Sequence, residues 1–410
     1  MSSVKTRQID FLPSRTAVFD GEDYLFFSGT SYLGVGHQAD FRAALLEGIG
    51  RYGTVFSASR NNNLQLKIYE EAEDFLAQWT SAKAALTVTS GLLAGQLAIN
   101  LLKNQIGTND EKTVFIYAPS AHPAVWEAPP PYIFKNQIDF ENNIVATVEK
   151  EKNAPIVVVS NAVDMLTCQT FDFSWITQLN DNQDITLLID DSHGIGITGE
   201  NGSGIFQKIR HLAKTTIKVI VIASLAKALG IPGGVILSDE TAINNIRQNP
   251  LFVGASPIVP AYLFAFLAAQ PMYATARETL KNNIDTFNEA LKNDSHKSSS
   301  FSLESPFFKG NTEGGKDFKF QISDFKYDAD LQKNHNSKLF KSPFPHYPVF
   351  FTPENVLFDA LYKEKIFISH FAYPKPNDPP ITRVVLSALH TKADIEHLAV
   401  KINDFLKNTK

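Results

Sequence analysis

One lysine among small residues, in Ser224-Leu225-Ala226-Lys227-Ala228-Leu229-Gly230, is the chain's leading candidate for a reactive amine. The segment before it, Lys218-Val219-Ile220-Val221-Ile222-Ala223, is short, β-branched and almost uncharged, which predicts a strand buried in a parallel sheet. Lys227 then falls near the strand's carboxyl end, where open α/β sheets bind ligands. An amine stripped of water there gives up its proton more readily and becomes able to form a Schiff base. A solvated lysine on a sheet-edge loop is the competing reading.

A second strand pattern, Ile185-Thr186-Leu187-Leu188-Ile189, runs directly into Asp190-Asp191-Ser192-His193-Gly194. A carboxylate beside a pyridine nitrogen favours the protonated ring, and that ring withdraws electrons from a carbanion at an attached imine. Asp190 and Lys227, both at strand ends, therefore point to pyridoxal 5′-phosphate (PLP) chemistry. Gly194, Gly196 and Gly199 also match the dinucleotide pattern G-x-G-x-x-G. Polar residues precede them and Glu200-Asn201-Gly202-Ser203-Gly204 follows, so no helix begins where a pyrophosphate would need one. A phosphate is expected instead at Ser90-Gly91-Leu92, where Ala84–Val88 leads into an apolar helix with free amides and a favourable dipole. Ordinary capping by Ser90 accounts for the same residues. Ser224 would add a hydroxyl to that phosphate.

These residues need a sheet to hold them, and from about residue 65 to 240 strand and helix patterns alternate as in a doubly wound α/β fold. Thr113–Tyr117 and Ile156–Val159 are further strand candidates. From about 293 to 345 the chain turns rich in Ser, Asn, Lys and Asp and reads as loop, with phenylalanines that argue against disorder. Strand patterns at Pro348–Phe351, Ile366–Ile368 and Arg383–Ser387, helical ones at Glu354–Lys363, and a closing amphipathic helix predict a smaller α+β domain. The expected division is 1–60 as an N-terminal arm and active-site segment, 61–275 as the large cofactor domain, and 276–410 as the small domain.

The chain has 410 residues, 44% of them hydrophobic and 20% charged, enough for a large core and two or more domains. A net charge of −5 offers no general attraction to nucleic acid or anionic membranes. The lone cysteine, Cys168, rules out an intramolecular disulfide and a cysteine-rich metal site, so no metal is expected and a reducing compartment is. Residues 1–10 lack a hydrophobic signal core, and no apolar run reaches membrane-spanning length. These features together predict a soluble cytoplasmic protein.

In the order Tyr32-Leu33-Gly34, Ser59-Arg60, Ser90-Gly91, His122, Asp190-Asp191-Ser192-His193-Gly194, Ser224 to Gly230, and Arg383 to Thr391, the chain resembles the α-oxoamine synthases. These are fold-type-I PLP enzymes related to class I/II aminotransferases. The resemblance spans about Tyr24 to Leu406 and implies that Lys227 binds PLP covalently and Asp190 pairs with its ring nitrogen. It further implies that His193 bonds the phenolic oxygen, His122 stacks on the ring, and Arg383 holds the amino-acid carboxylate. Homodimers with shared sites are implied, Ser256 being a candidate phosphate contact from the partner. The implied reaction joins a small amino acid to acyl-CoA with loss of carbon dioxide; an aminotransferase or lyase is the alternative. Thr30-Ser31 replaces the family's usual Asn-Asp near the substrate carboxylate, Leu64 a usual glycine and Tyr69 a usual histidine. Phe56, Leu64 and Tyr69 are read either as core or as lining for a bulky acyl group.

Overall fold

A computed structural model describes residues 7–105, 111–130, 133–151, 153–169, 171–295, 339–373 and 378–408. Its elements run in chain order as β1 (Thr16–Phe19), β2 (Glu22–Phe27), α1 (Ala39–Tyr52), α2 (Lys67–Thr80), β3 (Ala84–Val88), α3 (Gly91–Lys103), β4 (Val114–Tyr117), α4 (Gln137–Val148), β5 (Ile156–Asn161), β6 (Ile185–Asp190) and α5 (Phe206–Leu212). There follow β7 (Lys218–Ser224), β8 (Gly234–Ser238), α6 (Glu240–Arg247), α7 (Pro250–Gly254), α8 (Pro260–Ala268), α9 (Gln270–Ser295), β9 (Val349–Thr352), α10 (Val356–Lys363), β10 (Ile366–Ala372), β11 (Pro380–Val385) and α11 (Lys392–Asn408).

The larger sheet has the order β3-β8-β7-β6-β5-β4. Strands β4 to β7 are parallel, whereas β8 is antiparallel to β7 and to β3. Alternate residues of the central strands enter opposite cores: Val158, Leu187, Ile189 and Val221 join one cluster, and Val157, Val159, Leu188 and Ile222 the other. Both sets are buried, which explains why these strands read as continuous apolar runs rather than as alternating ones. Helix α3 packs on β7 and β8. The expected α/β fold with a mainly parallel sheet is the one observed.

Strands β7 and β8 are joined by residues 225–233, so Lys227 sits on a connection between antiparallel neighbours. The smaller sheet, β1-β2-β10-β11-β9, unites the two ends of the chain, because β2 lies parallel to β10. Neither β1 nor β2 is evident in the sequence pattern. The strand expected over Arg383–Ser387 is displaced to Pro380–Val385: Ser387 leaves the sheet, its amide donating to His390 Nδ1 at 3.0 Å. Of the 293–345 stretch, 296–338 lies outside the described residues. Among the described residues, no helix is long and apolar enough to cross a membrane.

Candidate active site

Asp190 ends β6 as the strand's last buried residue, and the Ser192 amide donates to its Oδ1 at 2.9 Å. Ser192 in turn accepts the Ser224 amide on its hydroxyl at 2.8 Å, which ties the Asp190 turn to the end of β7. His122 Nδ1 lies 3.9 Å from Asp190 Oδ2. That separation is not an ion pair, because the same Nδ1 accepts the Ala124 amide at 3.1 Å and so carries no proton. Partial burial lowers the His122 pKa and nearby Lys227 adds to this, while Asp190 opposes both. The His122 side chain keeps 54% of its surface open.

Asn161 sets the His122 loop. It ends β5 as Asp190 ends β6, and the two are partners in the sheet register. Its Oδ1 accepts the His122 amide at 3.1 Å, and its Nδ2 donates to the Ser120 carbonyl at 2.7 Å. The visible signal for Asn161 was a polar residue closing an apolar strand, the same signal that marked Asp190.

Lys227 has its pKa lowered by burial, with Asp190 opposing the shift. Among the described residues it makes no ion pair. His193 is half-buried beside Lys227, Arg383 and His122; desolvation first, and then the neighbouring Lys227, Arg383 and His122, drive its pKa well below the ordinary histidine value. Its Nδ1 lies 3.0 Å from the Tyr32 hydroxyl, and its carbonyl accepts the Tyr347 hydroxyl at 2.9 Å. Arg383 is buried over the Phe371 ring, 4.8 Å from its centre, and donates through Nη1 to the Met165 carbonyl.

A cradle lies where α3, β7 and β8 meet. The Ser90 hydroxyl accepts the Leu93 amide at 3.1 Å and the Ser90 carbonyl accepts the Ala94 amide at 3.0 Å. The Gly91 and Leu92 amides belong to the first helical turn, which has no internal acceptors. A Cβ at Gly91 would stand 2.7 Å from Ser224 Cβ, and one at Gly234 would stand 2.3 Å from the Ser90 carbonyl oxygen. This close backbone approach at a helix N-terminus, beside a hydroxyl, suits a phosphate. The donor set thus fits PLP: an anion cradle, a carboxylate, and a lysine held at adjoining strand ends.

The other predicted positions are placed less directly. The Thr30 carbonyl accepts the Tyr32 amide, and the Ser31 carbonyl accepts the Ser387 hydroxyl at 3.1 Å, so their backbone joins Tyr32 to the chain after β11. Ser256 is exposed, and among the described residues no hydrogen bond ties it to Ser90 or Ser224. Leu92 is 60% exposed, so only its amide bears on the cradle. Tyr69 belongs to the core rather than to an acyl pocket: its hydroxyl donates to the Ile258 carbonyl and Arg60 lies on its ring. Phe56 packs against Tyr69, whereas Leu64 is exposed. Arg60 forms a buried pair with Glu73.

The glycine run wraps the second carboxyl group. Asp191 is buried, accepts the Ile205 amide at 2.8 Å, and has its pKa pushed up to about 8 by burial. Gly194 and Gly204 pack against its two oxygens. No dinucleotide site is formed, since α5 begins only at Phe206.

Residues 32–402 match the model of the family described as aminotransferase class I and II. The chain belongs to that family. Within the class I and II aminotransferases, it is 25% identical over 407 residues to the 8-amino-7-oxononanoate synthase of Petrotoga mobilis, covering 95% of this chain and 90% of that protein. It is 22% identical over 293 residues to the serine palmitoyltransferase of Bacteriovorax stolpii, covering 70% and 67%. Its fold is that of the serine palmitoyltransferase from S. paucimobilis, solved with bound PLP, at a TM-score of 0.71 and 15% identity over 97% of this chain and 92% of that one. The fold and family implied by the sequence resemblance are therefore the observed ones.

Proposed function

We propose that the protein is a PLP-dependent acyltransferase that condenses a small α-amino acid with an acyl-CoA, releasing carbon dioxide and leaving an α-amino ketone. The observation that carries this reading is the gathering of Lys227, Asp190, His193 and His122 near the helix N-terminus at Ser90-Gly91, in a chain whose relatives include an 8-amino-7-oxononanoate synthase. When bound, PLP supplies an electron sink for the charge left at the amino acid's α-carbon.

The protein's own groups have separable tasks in this reading. Lys227, its neutral form favoured by burial, would hold the cofactor covalently and, when free, would serve as the base for the substrate's α-proton. Asp190 would pair with the ring nitrogen, its Oδ1 fixed by the Ser192 amide. His193 would bond the phenolic oxygen and His122 would cover the ring. Arg383 would present its planar guanidinium fork to the substrate carboxylate, with Thr30-Ser31 as further candidate contacts. The Gly91 and Leu92 amides hold the phosphate, with the Ser90 and Ser224 hydroxyls. A homodimer places Ser256 of the second copy near that phosphate, an assignment supported by its exposure in the single chain. The division into 1–60, 61–275 and 276–410 is supported by the grouping of β3 to β8 in one sheet and of β1, β2 and β9 to β11 in the other, its second boundary falling within α9; the lone buried Cys168 supports a cytoplasmic setting.

The deciding assay measures thiol release from a panel of acyl-CoA chain lengths with glycine, alanine or serine. Release that depends on one amino acid is expected, as is loss of the protein-bound visible PLP band in Lys227→Ala. Keto-acid formation without thiol release would overturn the condensation, and an unchanged band in the variant would remove Lys227 from its role.

A further inference from the structure

His193 is held at two points by tyrosines from different parts of the chain. Tyr32 reaches its ring from the segment after β2, and Tyr347 reaches its carbonyl from just before β9. Both tyrosines are fully buried. Tyr32 is itself anchored, since its carbonyl accepts the Ala388 amide at 2.9 Å. Burial raises the pKa of both hydroxyls, so each keeps its single proton at neutral pH. Tyr347 donates to the His193 carbonyl, its hydroxyl also meeting Met165 Sδ at 3.0 Å and the Tyr32 hydroxyl, so the Tyr32 proton is available to Nδ1. Surrounded by Lys227, Arg383 and His122, the imidazole stays neutral and carries one N–H.

We propose that Tyr32 is a positioning residue whose hydroxyl donates to His193 Nδ1 and thereby locks the ring in its Nε2–H form. Which nitrogen bears the proton in a neutral histidine is set by the hydrogen bond at the other nitrogen. The consequence rests on the function proposed above: Nε2 becomes a donor suited to the phenolic oxygen of PLP, an acceptor when ionised. The opposite tautomer would set one acceptor against another. Because Tyr32 lies between the small sheet and the Lys227 loop, with Gly36 beside Gly230, seating this segment also determines the histidine's proton position.

The test is nitrogen-15 NMR of ring-labelled histidines in the full chain, with and without PLP, with His193 assigned from a His193→Gln spectrum. The expected wild-type pattern is a pyridine-like Nδ1 and a pyrrole-like Nε2 before PLP is added. In Tyr32→Phe this single pattern should give way to mixed tautomers, with the circular dichroism of the fold retained. A wild-type Nδ1–H pattern, or Tyr32→Phe with an unaltered Nε2–H pattern, overturns the proposal; if Tyr32→Phe does not fold, the wild-type spectrum decides. The PLP-free spectrum separates this inference from the function. A locked Nε2–H form in a protein that binds no PLP would sink the enzymatic reading alone, and PLP binding with a pyrrole-like Nδ1 would sink this one alone.

Discussion

Replacing Gly91 by alanine adds one methyl group at the tightest point of the phosphate cradle. Its carbon would lie 2.7 Å from Ser224 Cβ, 3.0 Å from Ser224 Cα and 3.1 Å from the Ser224 amide nitrogen, whereas ordinary contact begins at 3.4 Å. The obstructing atoms are backbone or next to it, so no side-chain rotation relieves the overlap. The end of β7 and the start of α3 must separate by several tenths of an ångström. Overpacking of this kind costs about 1–3 kcal/mol. The strain falls on the two elements that carry Ser224 and the Gly91 and Leu92 amides, so the cofactor should feel it as well as the fold. If about 1–2 kcal/mol appears in binding, the PLP dissociation constant rises roughly 5- to 30-fold. The assay is a visible-absorbance titration with PLP, paired with urea denaturation of the cofactor-free protein. Gly50→Ala is the control: it lies within α1 with nothing inside 4 Å of its added carbon. That change should stabilise the fold by about 0.5–1 kcal/mol and leave PLP affinity alone. A Gly91→Ala protein with wild-type affinity and an unmoved urea midpoint would refute the cradle.

Two further outcomes follow from buried charges outside the cradle. Glu73 accepts from Arg60, Arg247, the Thr87 amide and the Thr87 hydroxyl, so Glu73→Gln leaves the buried Arg60 facing a neutral amide. Urea denaturation should report a loss of about 3–5 kcal/mol, and a loss below about 1 kcal/mol would show that water compensates the arginines. His390, which accepts the Ser387 amide and lies 3.0 Å from the Phe26 carbonyl, has its pKa lowered by burial from 6.5 to about 4. The unfolded chain therefore binds the proton more readily than the folded one. His390 contributes its full stability above pH 6.5 and loses it as pH falls towards 4, a change of order 3 kcal/mol. Denaturation across that range should show this fall in the wild type and a shallower one in His390→Gln.

The strand-end places of Asp190 and Lys227 were legible because one closes and the other follows a strand buried on both faces, where a run of β-branched residues stops abruptly. Ser90-Gly91 was legible for a similar reason, since strand and helix patterns abut there without a spacer. The bond between Tyr32 and His193 was not, because it spans 161 positions and depends on how separate elements pack. Arg60 likewise gave no sign in the sequence that its partner would be Glu73. Leu92 and Tyr69 illustrate the limit of composition: both are apolar and near the motifs, yet one faces solvent and the other is sealed in the core. The turn at Ser387 escaped strand reasoning because its hydrogen bond to His390 removes it from a ladder that Val384 and Val385 continue.

The parallel pairing of β2 with β10 also bears on the order in which this protein is made. Leu25 to Phe27 are synthesised more than 300 residues before their sheet partners, Ile366 to Ile368. The large sheet can form from segments nearer in sequence while the first strands still lack their neighbours. Contacts of such high contact order close slowly, and until they do β2 presents an open edge to other nascent chains. The short segment that carries Tyr32 is attached to that waiting strand. Completion of the surroundings of His193 is thus deferred until β10 has been synthesised and has joined β2.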